Sequence, residues 1–335
     1  MIKLGIIGFG NWGQHLVRNF YGNHNFKIEK VADCRQERLN IFHKLFPAIT
    51  TASNHDEIIN DPDIEAVAIA TPVYTHYQLA KSALEKRKHV LLEKPMTSSS
   101  AEAMELITLA GKNGLSLMVD HVLLYTTAVQ RIKQLIDNGT IGKVKYLDST
   151  RINLGIFQPD VNVLWDLAPH DLSVLFHLIS EKPYSLNATG ISLTKTGIEN
   201  IAFLTINFES GLIAHFNCSW VSPVKIRMML IGGDSKMIVF NDLEPVEKVK
   251  VYDSGFSIKT DELTKQQQFD YRTGDIFCPK TKNSEALALM VEDFAQSILN
   301  NKTPVSDLNC GFSIIKTLEA SSISLRNKGK EVIIK

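Results

Sequence analysis

The stretch that decides the fold is Ile2-Lys3-Leu4-Gly5-Ile6-Ile7-Gly8-Phe9-Gly10-Asn11-Trp12-Gly13, in which an apolar run ends in a Gly-x-Gly-x-x-Gly turn. A buried strand would deliver the chain to this turn, where Gly8 takes backbone angles that a side chain would hinder. Gly10 leaves room for a pyrophosphate, and Gly13 lets the following helix, expected over residues 15–21, pack against the strand. The free N–H groups that begin such a helix favour phosphates. The order therefore predicts a strand, a phosphate-binding turn and a helix.

A second predicted strand ends in an acidic residue at the spacing that a dinucleotide site requires. Residues 26–32 read as the strand, and Asp33 follows Gly13 by twenty positions. A carboxylate at that spacing reaches the ribose hydroxyls of an adenosine. Because it would repel a 2′-phosphate, NAD is favoured over NADP, although Arg35 could welcome that phosphate. The alternative interpretation is an ordinary strand, turn and helix with a solvated aspartate.

The composition argues against several classes of protein. With 44% hydrophobic and 21% charged residues, the chain of 335 residues is typical of a soluble globular protein. Lys plus Arg and Asp plus Glu both number 36, so the chain lacks the basic footprint of a nucleic-acid binder. No apolar run approaches the roughly 20 residues of a membrane span, and the N-terminal apolar stretch indicates a strand, not a signal peptide. The four cysteines show no Cys-x-x-Cys pairing, which favours free thiols in the cytoplasm.

The order of the predicted elements indicates two domains of the α/β class. Strands and helices alternate up to Asp120, which predicts a doubly wound parallel sheet, an NAD-binding Rossmann domain over residues 1–122. Afterwards the strands become long and are joined by turns. This pattern predicts an α/β domain over residues 123–335 for substrate binding and oligomerisation, with a large open, mostly antiparallel sheet. Residues 260–282 are polar and irregular, and we expect them to form a loop over a site.

Ligands bind outside the carboxyl ends of the strands in a doubly wound sheet. Thr71, Glu93 with Lys94, and His121 fall at such ends. Pro95 restricts Lys94 to extended backbone angles. A lysine held there could face the nicotinamide, where partial burial would suit it to acid or base chemistry. The alternative is a solvated lysine at a strand end.

A second group of candidates lies in Trp165-Asp166-Leu167-Ala168-Pro169-His170-Asp171. Asp166 and His170 are four residues apart and share one face of a helix. A carboxylate beside an imidazole can orient it and support its protonated form, so that the pair could polarise a hydroxyl being oxidised. An ordinary helix start, with Asp166 favoured by the helix dipole, explains the same residues. We expect no metal site, because no third or fourth ligand clusters nearby.

Together these residues resemble the Gfo/Idh/MocA family of nicotinamide-dependent oxidoreductases, the glucose–fructose oxidoreductase and inositol dehydrogenase type. The resemblance covers essentially the whole chain, and Glu93-Lys94-Pro95 with Asp166-x-x-x-His170-Asp171 carries it more specifically than the glycine motif. It implies a hydride-transfer site of Lys94, Asp166 and His170, in which the lysine bridges the reacting hydroxyl and the nicotinamide ribose and the histidine is the acid–base candidate. The residues expected to contact the cofactor are Gly8, Phe9, Gly10, Asn11, Trp12, Gly13, Asp33, Arg35, Thr71, Pro72, His76, Glu93, Lys94 and His121.

The segment before the Asp-x-x-x-His element departs from the family pattern. Many members carry a Gly-Gly pair there, whereas this chain has Val163-Leu164-Trp165. Residues 151–155 and 162–171 are similar to a branch found in sugar-nucleotide and surface-polysaccharide pathways. The expected substrate contacts are therefore Arg151, Asn153, Asn162 and Trp165, of which the arginine could pair with a phosphate or a uronate carboxylate. Polar residues of a surface sheet and a core tryptophan are the alternative.

The expected function is hydride transfer between a secondary hydroxyl of a sugar or sugar nucleotide and a nicotinamide. Two alternatives on the same fold stay open: a non-catalytic NAD-binding regulator and an NAD-dependent glycoside hydrolase. The large sheet of the second domain would leave one face uncovered, and family members commonly pair through that face. A homodimer or homotetramer is therefore expected.

Overall fold

The computed structural model describes residues 1–260 and 267–334. The chain forms two units, the first made of Met1–Thr126 and Ser284–Glu319 and the second of Thr127–Asn283 and Ala320–Lys335. The expected division at residues 122 and 123 remains a proposal. The two units differ from this division because residues Ser284–Glu319, which lie late in the sequence, belong to the first unit.

Six parallel strands form the centre of the first unit, and they are β1 (Ile2–Ile7), β2 (Phe26–Ala32), β3 (Thr50–Ala52), β4 (Ala66–Ile69), β5 (His89–Glu93) and β6 (Leu117–Asp120). Their connections are α1 (Asn11–Tyr21), α2 (Gln36–Leu45), α3 (Asp56–Ile59), α4 (Val73–Glu85) and α5 (Ser100–Asn113), and a 3₁₀ turn (Val122–Tyr125) follows β6. The strand order is β3-β2-β1-β4-β5-β6, so the direction of winding reverses between β1 and β4. This confirms the predicted doubly wound sheet, whose ligands bind at that reversal.

The central strands are apolar throughout because both faces of the sheet are covered. Every residue of β4 is buried, and β1 exposes only Lys3 in part. Side chains buried on both faces read as a continuous apolar run, which is why these strands are visible in the sequence.

The second unit contains a nine-stranded, mostly antiparallel sheet. Its elements are α6 (Thr127–Asp137), β7 (Val144–Ile152), α7 (Val163–Leu178), β8 (Pro183–Ile191), β9 (Ile201–Phe208), β10 (Ile213–Ser219), β11 (Ile226–Gly233), β12 (Met237–Asn241), β13 (Val249–Thr260), β14 (Gln267–Phe277) and β15 (Val332–Ile333). The strand order is β14-β13-β12-β11-β7-β10-β9-β8-β15, and β7 with β10 is parallel. The predicted large open sheet is confirmed.

Helix α7 packs on β7, β9 and β10 and covers one face of this sheet. Leu147 and Arg151 of β7 are buried on that face. Tyr146 and Ile213, which are paired across β7 and β10, are exposed on the other face. The alternation follows from the two-residue period of a strand.

Two sequence predictions of structure are wrong. Helix α1 begins at Asn11 rather than His15, because Gly10 with extended backbone angles already serves as its N-cap. The polar segment expected as a loop over residues 260–282 contains β14, whose Phe269 and Tyr271 pair with Ile258 and Phe256 of β13. Alternate polar residues on this edge ribbon hid the strand signal. Residues 261–266 lie outside the described residues.

The returning segment adds α8 (Ala286–Leu299) to the first unit and begins α9 (Leu308–Arg326) there. Phe294 of α8 stacks on Phe26 with ring centroids 5.9 Å apart. Among the residues described, no helix is long and apolar enough to cross a bilayer. Over the same ranges, no three His, Cys, Asp or Glu side chains cluster in a way that could hold a metal ion.

Candidate active site

In the glycine turn, Gly10 leaves room for a ligand to approach the backbone, whereas Gly8 and Gly13 are packed closely against backbone atoms. Gly8 has φ +99°, and a Cβ on it would lie 2.4 Å from the Ala70 carbonyl oxygen. A Cβ on Gly13 would lie 2.1 Å from the Gly8 carbonyl oxygen, so neither glycine can be replaced without a shift of the backbone. At Gly10 the nearest atom to such a Cβ is Nη2 of Arg35 at 3.8 Å. This open space at the start of α1 fits a pyrophosphate.

Asp33 lies buried after β2 and is held from two sides. Its Oδ2 accepts the Phe9 N–H at 2.8 Å, and its Oδ1 accepts the backbone N–H and Nε of Arg35 at 2.9 and 3.0 Å. Burial alone would raise the pKa of Asp33, but the hydrogen bonds from Arg35 and Phe9 outweigh it and lower the pKa below its ordinary value. Asp33 is therefore an ionised acceptor, as a ribose diol requires.

A cavity of about 640 Å³ opens where β1, β2 and β4 end. Its lining includes Gly8, Asp33, Arg35, Thr71, Pro72 and Tyr74. The volume lies within the range of about 300–1,000 Å³ that is common for ligand sites. The predicted cofactor residues of these three strand ends are thus brought together in one cavity.

The other predicted cofactor residues in the glycine motif and after β4 are placed differently. The Phe9 ring is buried and packs edge-on against Phe42, with centroids 5.0 Å apart, while Asn11 is exposed. The buried His76 faces two carbonyl oxygens, Pro95 at 2.9 Å from Nδ1 and Thr71 at 2.8 Å from Nε2. Burial lowers the pKa of His76. Its imidazole therefore joins the turn after β4 to the Glu-Lys-Pro segment.

The end of β5 carries Glu93 and Lys94 beside the end of β6. Lys94 is half-buried, its backbone N–H donates to the Glu93 carboxylate, and the Lys94–Pro95 peptide bond is cis. Glu93 pairs in register with Asp120 of β6, and the buried His121 follows. Neither ring nitrogen of His121 has a hydrogen-bond partner within residues 1–260 and 267–334. Burial and, to a smaller degree, the Lys94 charge lower the pKa of His121 to about 3.

In the second unit, α7 carries Asp166 and His170 one turn apart. Asn162 caps this helix, and its side-chain oxygen accepts the N–H groups of Leu164 and Trp165, each at 3.2 Å. Both Asp166 and His170 are half-buried. The arrangement supports the predicted common helical face, and Pro169 lies between the two residues inside the helix.

Trp220, which was not predicted from the sequence, contacts the candidate site residue Asp166. Its buried indole follows β10 and donates from Nε1 to Asp166 Oδ2 at 2.9 Å. Phe157 stacks on the indole with centroids 5.7 Å apart. A buried tryptophan usually finds a partner for its N–H, but no motif points to Trp220, which is 54 residues from Asp166 along the chain.

The four predicted substrate residues have mixed surroundings. Nε and Nη2 of the buried Arg151 donate to the Asp171 carboxylate at 2.8 and 2.7 Å. The guanidinium is therefore already paired with a carboxylate of the protein, whereas the sequence predicted that it would pair with an anionic group of the substrate. Trp165 Nε1 donates to Ser322 Oγ at 2.9 Å, and the amide group of Asn162 donates to Glu199 at 3.2 Å. Asn153 follows β7, and its backbone N–H donates to the Ser219 carbonyl.

Comparison with known proteins agrees with both units. Residues 2–121 match the oxidoreductase family with an NAD-binding Rossmann fold, and residues 129–238 match the Gfo/Idh/MocA C-terminal domain.

Named relatives extend over most or all of the chain. UDP-N-acetylglucosamine 3-dehydrogenase of Acidithiobacillus ferrooxidans is 28% identical over 240 residues, covering 69% of this chain and 71% of the relative. The NADP⁺-type scyllo-inositol 2-dehydrogenase IolW of Bacillus subtilis is 26% identical over 258 residues, or 71% of this chain and 69% of the relative. 2,7-Anhydro-N-acetylneuraminate hydratase of Escherichia coli is 24% identical over 369 aligned positions, or 100% and 97% of the two chains.

A solved structure shares the fold. That of the Acidithiobacillus ferrooxidans enzyme superposes with a TM-score of 0.79 over 97% of this chain and 98% of the other, at 23% identity. The chain is an oxidoreductase that belongs to the Gfo/Idh/MocA family.

Proposed function

We propose that the protein is an NAD-dependent dehydrogenase that transfers a hydride between a secondary hydroxyl of a sugar or sugar nucleotide and the nicotinamide. The observation that carries the proposal is the edge of the parallel sheet. Strands β1, β2 and β4 end at the cavity of Asp33, and β5, the neighbour of β4, ends at Glu93, directly before Lys94. Doubly wound sheets bind dinucleotides along this edge.

The proposed chemistry divides between the cofactor and the side chains of Lys94, Asp166 and His170. When bound, the nicotinamide supplies the acceptor for the hydride of the carbinol carbon. The hydroxyl proton leaves to His170, which Asp166 supports from one helical turn away. Lys94 holds the reacting oxygen, because an ammonium group stabilises a developing alkoxide. The carbon–oxygen bond then becomes a carbonyl, and the reverse steps describe reduction.

The cofactor is NAD in this proposal. Asp33 is buried, ionised and aimed from the end of β2 into the cavity, where it would repel a 2′-phosphate. Arg35 is committed to Asp33 by two side-chain hydrogen bonds. Calorimetric titration with both cofactors tests the preference, and tighter binding of NADP would contradict it.

The substrate class is tested with a panel of sugars and sugar nucleotides, including uronic acids and N-acetyl sugars, read at the NADH absorbance. The dehydrogenase named above, which acts on a sugar nucleotide, motivates the panel. Lys94→Ala serves as the matched inactive control. Steady NADH formation from one member supports the proposal.

A second candidate function is favoured by the full-length match to a hydratase. Adding or removing water, or cleaving a glycosidic bond, changes no net oxidation state, so such an enzyme converts its substrate without accumulating NADH. Product analysis by mass spectrometry alongside the absorbance assay separates the two. Binding of NAD with no conversion at all would instead indicate a regulator.

We also propose a homodimer or homotetramer formed through the uncovered face of the nine-stranded sheet. Tyr146, Phe203 and Ile213 are exposed there at 38%, 44% and 48%, and large apolar side chains on an open face indicate an interface. Sedimentation at micromolar concentration tests this, and a monomer would contradict it.

We propose a cytoplasmic location, because Cys34, Cys218, Cys278 and Cys310 are free thiols. Reducing compartments keep thiols in this state. Recovery of the protein from a periplasmic or secreted fraction of its native cells would contradict the location.

A further inference from the structure

Trp12 connects the beginning of helix α1, which follows β1, to the end of β6, the last strand of the parallel sheet. It lies in the first turn of α1, and its Nε1 donates to Asp120 Oδ2 at 2.6 Å. Asp120 ends β6, which lies three strands from β1 in the sheet. Three strand spacings span about 14 Å. One indole therefore joins the phosphate-binding helix to the strand beside Lys94.

Asp120 is a buried carboxylate at the end of β6, and its in-register partner on β5 is Glu93, the residue before Lys94. The Asp120 side chain is 2% exposed, and Oδ1 has no hydrogen-bond partner within residues 1–260 and 267–334. Burial raises the pKa of Asp120 to about 6, against the opposing effects of the Trp12 indole, the Val122 backbone N–H and, least, the Lys94 charge. Because charges interact strongly where water is excluded, the attraction between Asp120 and Lys94 is worth more than at a surface.

Two buried ionisable groups near Asp120, His121 and Tyr125, do not compete with it for protons between pH 4.5 and 8. His121 stays neutral, because its pKa is lowered to about 3 by burial. Tyr125 stays neutral, because burial raises its pKa, and its hydroxyl donates to Asp293 at 2.8 Å. Two further ionisable neighbours are Glu93, across the β5–β6 pair, and His15, whose ring centroid lies 5.6 Å from that of Trp12.

We propose that Asp120 is a positioning residue for the Lys94 ammonium, and that Trp12 fixes Asp120 from the cofactor-binding turn. The inference rests on the proposed role of Lys94 in hydride transfer. A lysine side chain is long and flexible, and a fixed carboxylate at the end of the adjacent strand would restrain the ammonium group by charge attraction. The hydrogen bond from Trp12 to Asp120 then joins helix α1, the proposed phosphate-binding helix, to the carboxylate that restrains Lys94.

The first test needs no activity and follows the indole N–H signals of the three tryptophans by ¹⁵N NMR from pH 4.5 to 8. It is made in a His15→Gln background, because the His15 ring centroid lies 5.6 Å from that of Trp12. The Trp12 signal should titrate with Asp120, remain titrating in Glu93→Gln and lose its titration in Asp120→Asn. In Lys94→Met the midpoint should move to higher pH, because a positive charge that favours the carboxylate is lost. A Trp12 signal without titration, or a midpoint unmoved by Lys94→Met, would overturn the proposal.

The second test is kinetic. Asp120→Asn preserves the shape of the side chain and should lower kcat by about tenfold to a hundredfold, as misplacing a reacting group by ~1 Å does, with little change in the Kd for NAD. Trp12→Phe should lower kcat in the same direction, which covers the case in which Asp120→Asn fails to fold. Tyr125→Phe is the matched control, since it removes a buried donor to a carboxylate but no charge, and should keep kcat.

Wild-type kcat in both Asp120→Asn and Trp12→Phe would overturn the positioning role. If the wild-type protein oxidises no substrate, the proposed function fails, while the NMR titration still decides whether Asp120 and Lys94 interact.

Discussion

Both units hold a carboxylate with a tryptophan indole, but the two contacts are built differently. In the first unit Trp12 donates to Asp120 at 2.6 Å, and in the second Trp220 donates to Asp166 at 2.9 Å. Trp12 stands inside the glycine motif, whereas Trp220 follows a strand that carries no motif. The comparison teaches that the support of a site can be invisible in the sequence even where its reacting residues are marked.

The two carboxylates also differ in burial, and this suggests different roles. Asp120 is buried, with a pKa raised by that burial to about 6. Asp166 is half-buried, one turn from His170 on α7. We therefore expect Asp120 to act through Lys94, and Asp166 to act beside the substrate with His170.

The largest effect is expected for Lys94→Ala, which removes the group that the first indole–carboxylate pair is proposed to position. Loss of a placed proton-transfer or charge-stabilising group lowers the rate by about 10²–10⁴-fold. The Kd for NAD should change little, because the glycine turn and Asp33 lie elsewhere on the sheet edge. Stopped-flow and steady-state kinetics check this, and a near-wild-type kcat would remove Lys94 from the chemistry.

Arg151 forms an ion pair with Asp171, the carboxylate that follows His170 on α7, and breaking that pair should lower stability. Arg151 and Asp171 are both buried, so Arg151→Met should lower the free energy of unfolding by about 3–5 kcal/mol, since an uncompensated buried charge remains. Arg227 pairs in register with Arg151 and reaches Asp242 at 3.7 Å while 40% exposed. Arg227→Met is thus the control and should cost at most about 1 kcal/mol. Equal losses in urea unfolding would contradict the distinction.

Trp220→Phe tests the second indole directly and is matched to Trp12→Phe in the first unit. A hydrogen bond to a charged group is worth about 1.5–3 kcal/mol, so kcat/KM should fall by about tenfold or more. The smaller ring can still stack with Phe157. If folded Trp220→Phe protein keeps the wild-type kcat/KM, the indole supports only the fold and the comparison fails in the second unit.

The smallest effect is a pair of opposite slopes of stability against pH. Between pH 4 and 6 the folded state binds the extra proton at Asp120, whose folded pKa is raised, so this residue makes stability fall as pH rises. At His121 the unfolded state binds the extra proton, because burial lowers the pKa of His121 in the folded state. This residue therefore makes stability rise as pH rises.

The two slopes oppose each other in the wild-type protein and separate in single variants. Asp120→Asn should add a rise of up to about 1.4 kcal/mol per pH unit, and His121→Asn should add a fall of similar size. Urea unfolding at pH 4.5 and 5.5 measures both. Equal pH slopes of stability in the two variants would contradict the opposite pKa shifts that burial gives Asp120 and His121.

The parallel sheet was predictable because its information is local. Each strand is a short apolar run, and Gly8, Asp33, Thr71 and Lys94 follow at the strand ends, where one sheet edge must collect them. Strand β14 was missed, because alternate residues of its ribbon with β13 are polar and it lies at the edge of the sheet.

Contacts between distant parts of the chain were not predictable from one sequence. Trp220 and Asp166 are 54 residues apart, and Trp12 and Asp120 are 108 apart. Arg151 has the spacing of a sheet residue, but nothing in its neighbourhood announces Asp171 as its partner. Such pairings depend on strand register and helix placement, which a single sequence does not specify.

The central claim is direct hydride transfer from a carbinol carbon, with His170 taking the proton. It is measured most directly with a sugar substrate from the panel that carries deuterium at the reacting carbon, followed through one turnover by mass spectrometry. We predict that deuterium appears in the nicotinamide ring together with the ketone product, and that His170→Asn slows this transfer while NAD binding persists. Conversion of the substrate with no deuterium reaching the cofactor at any time would contradict the account.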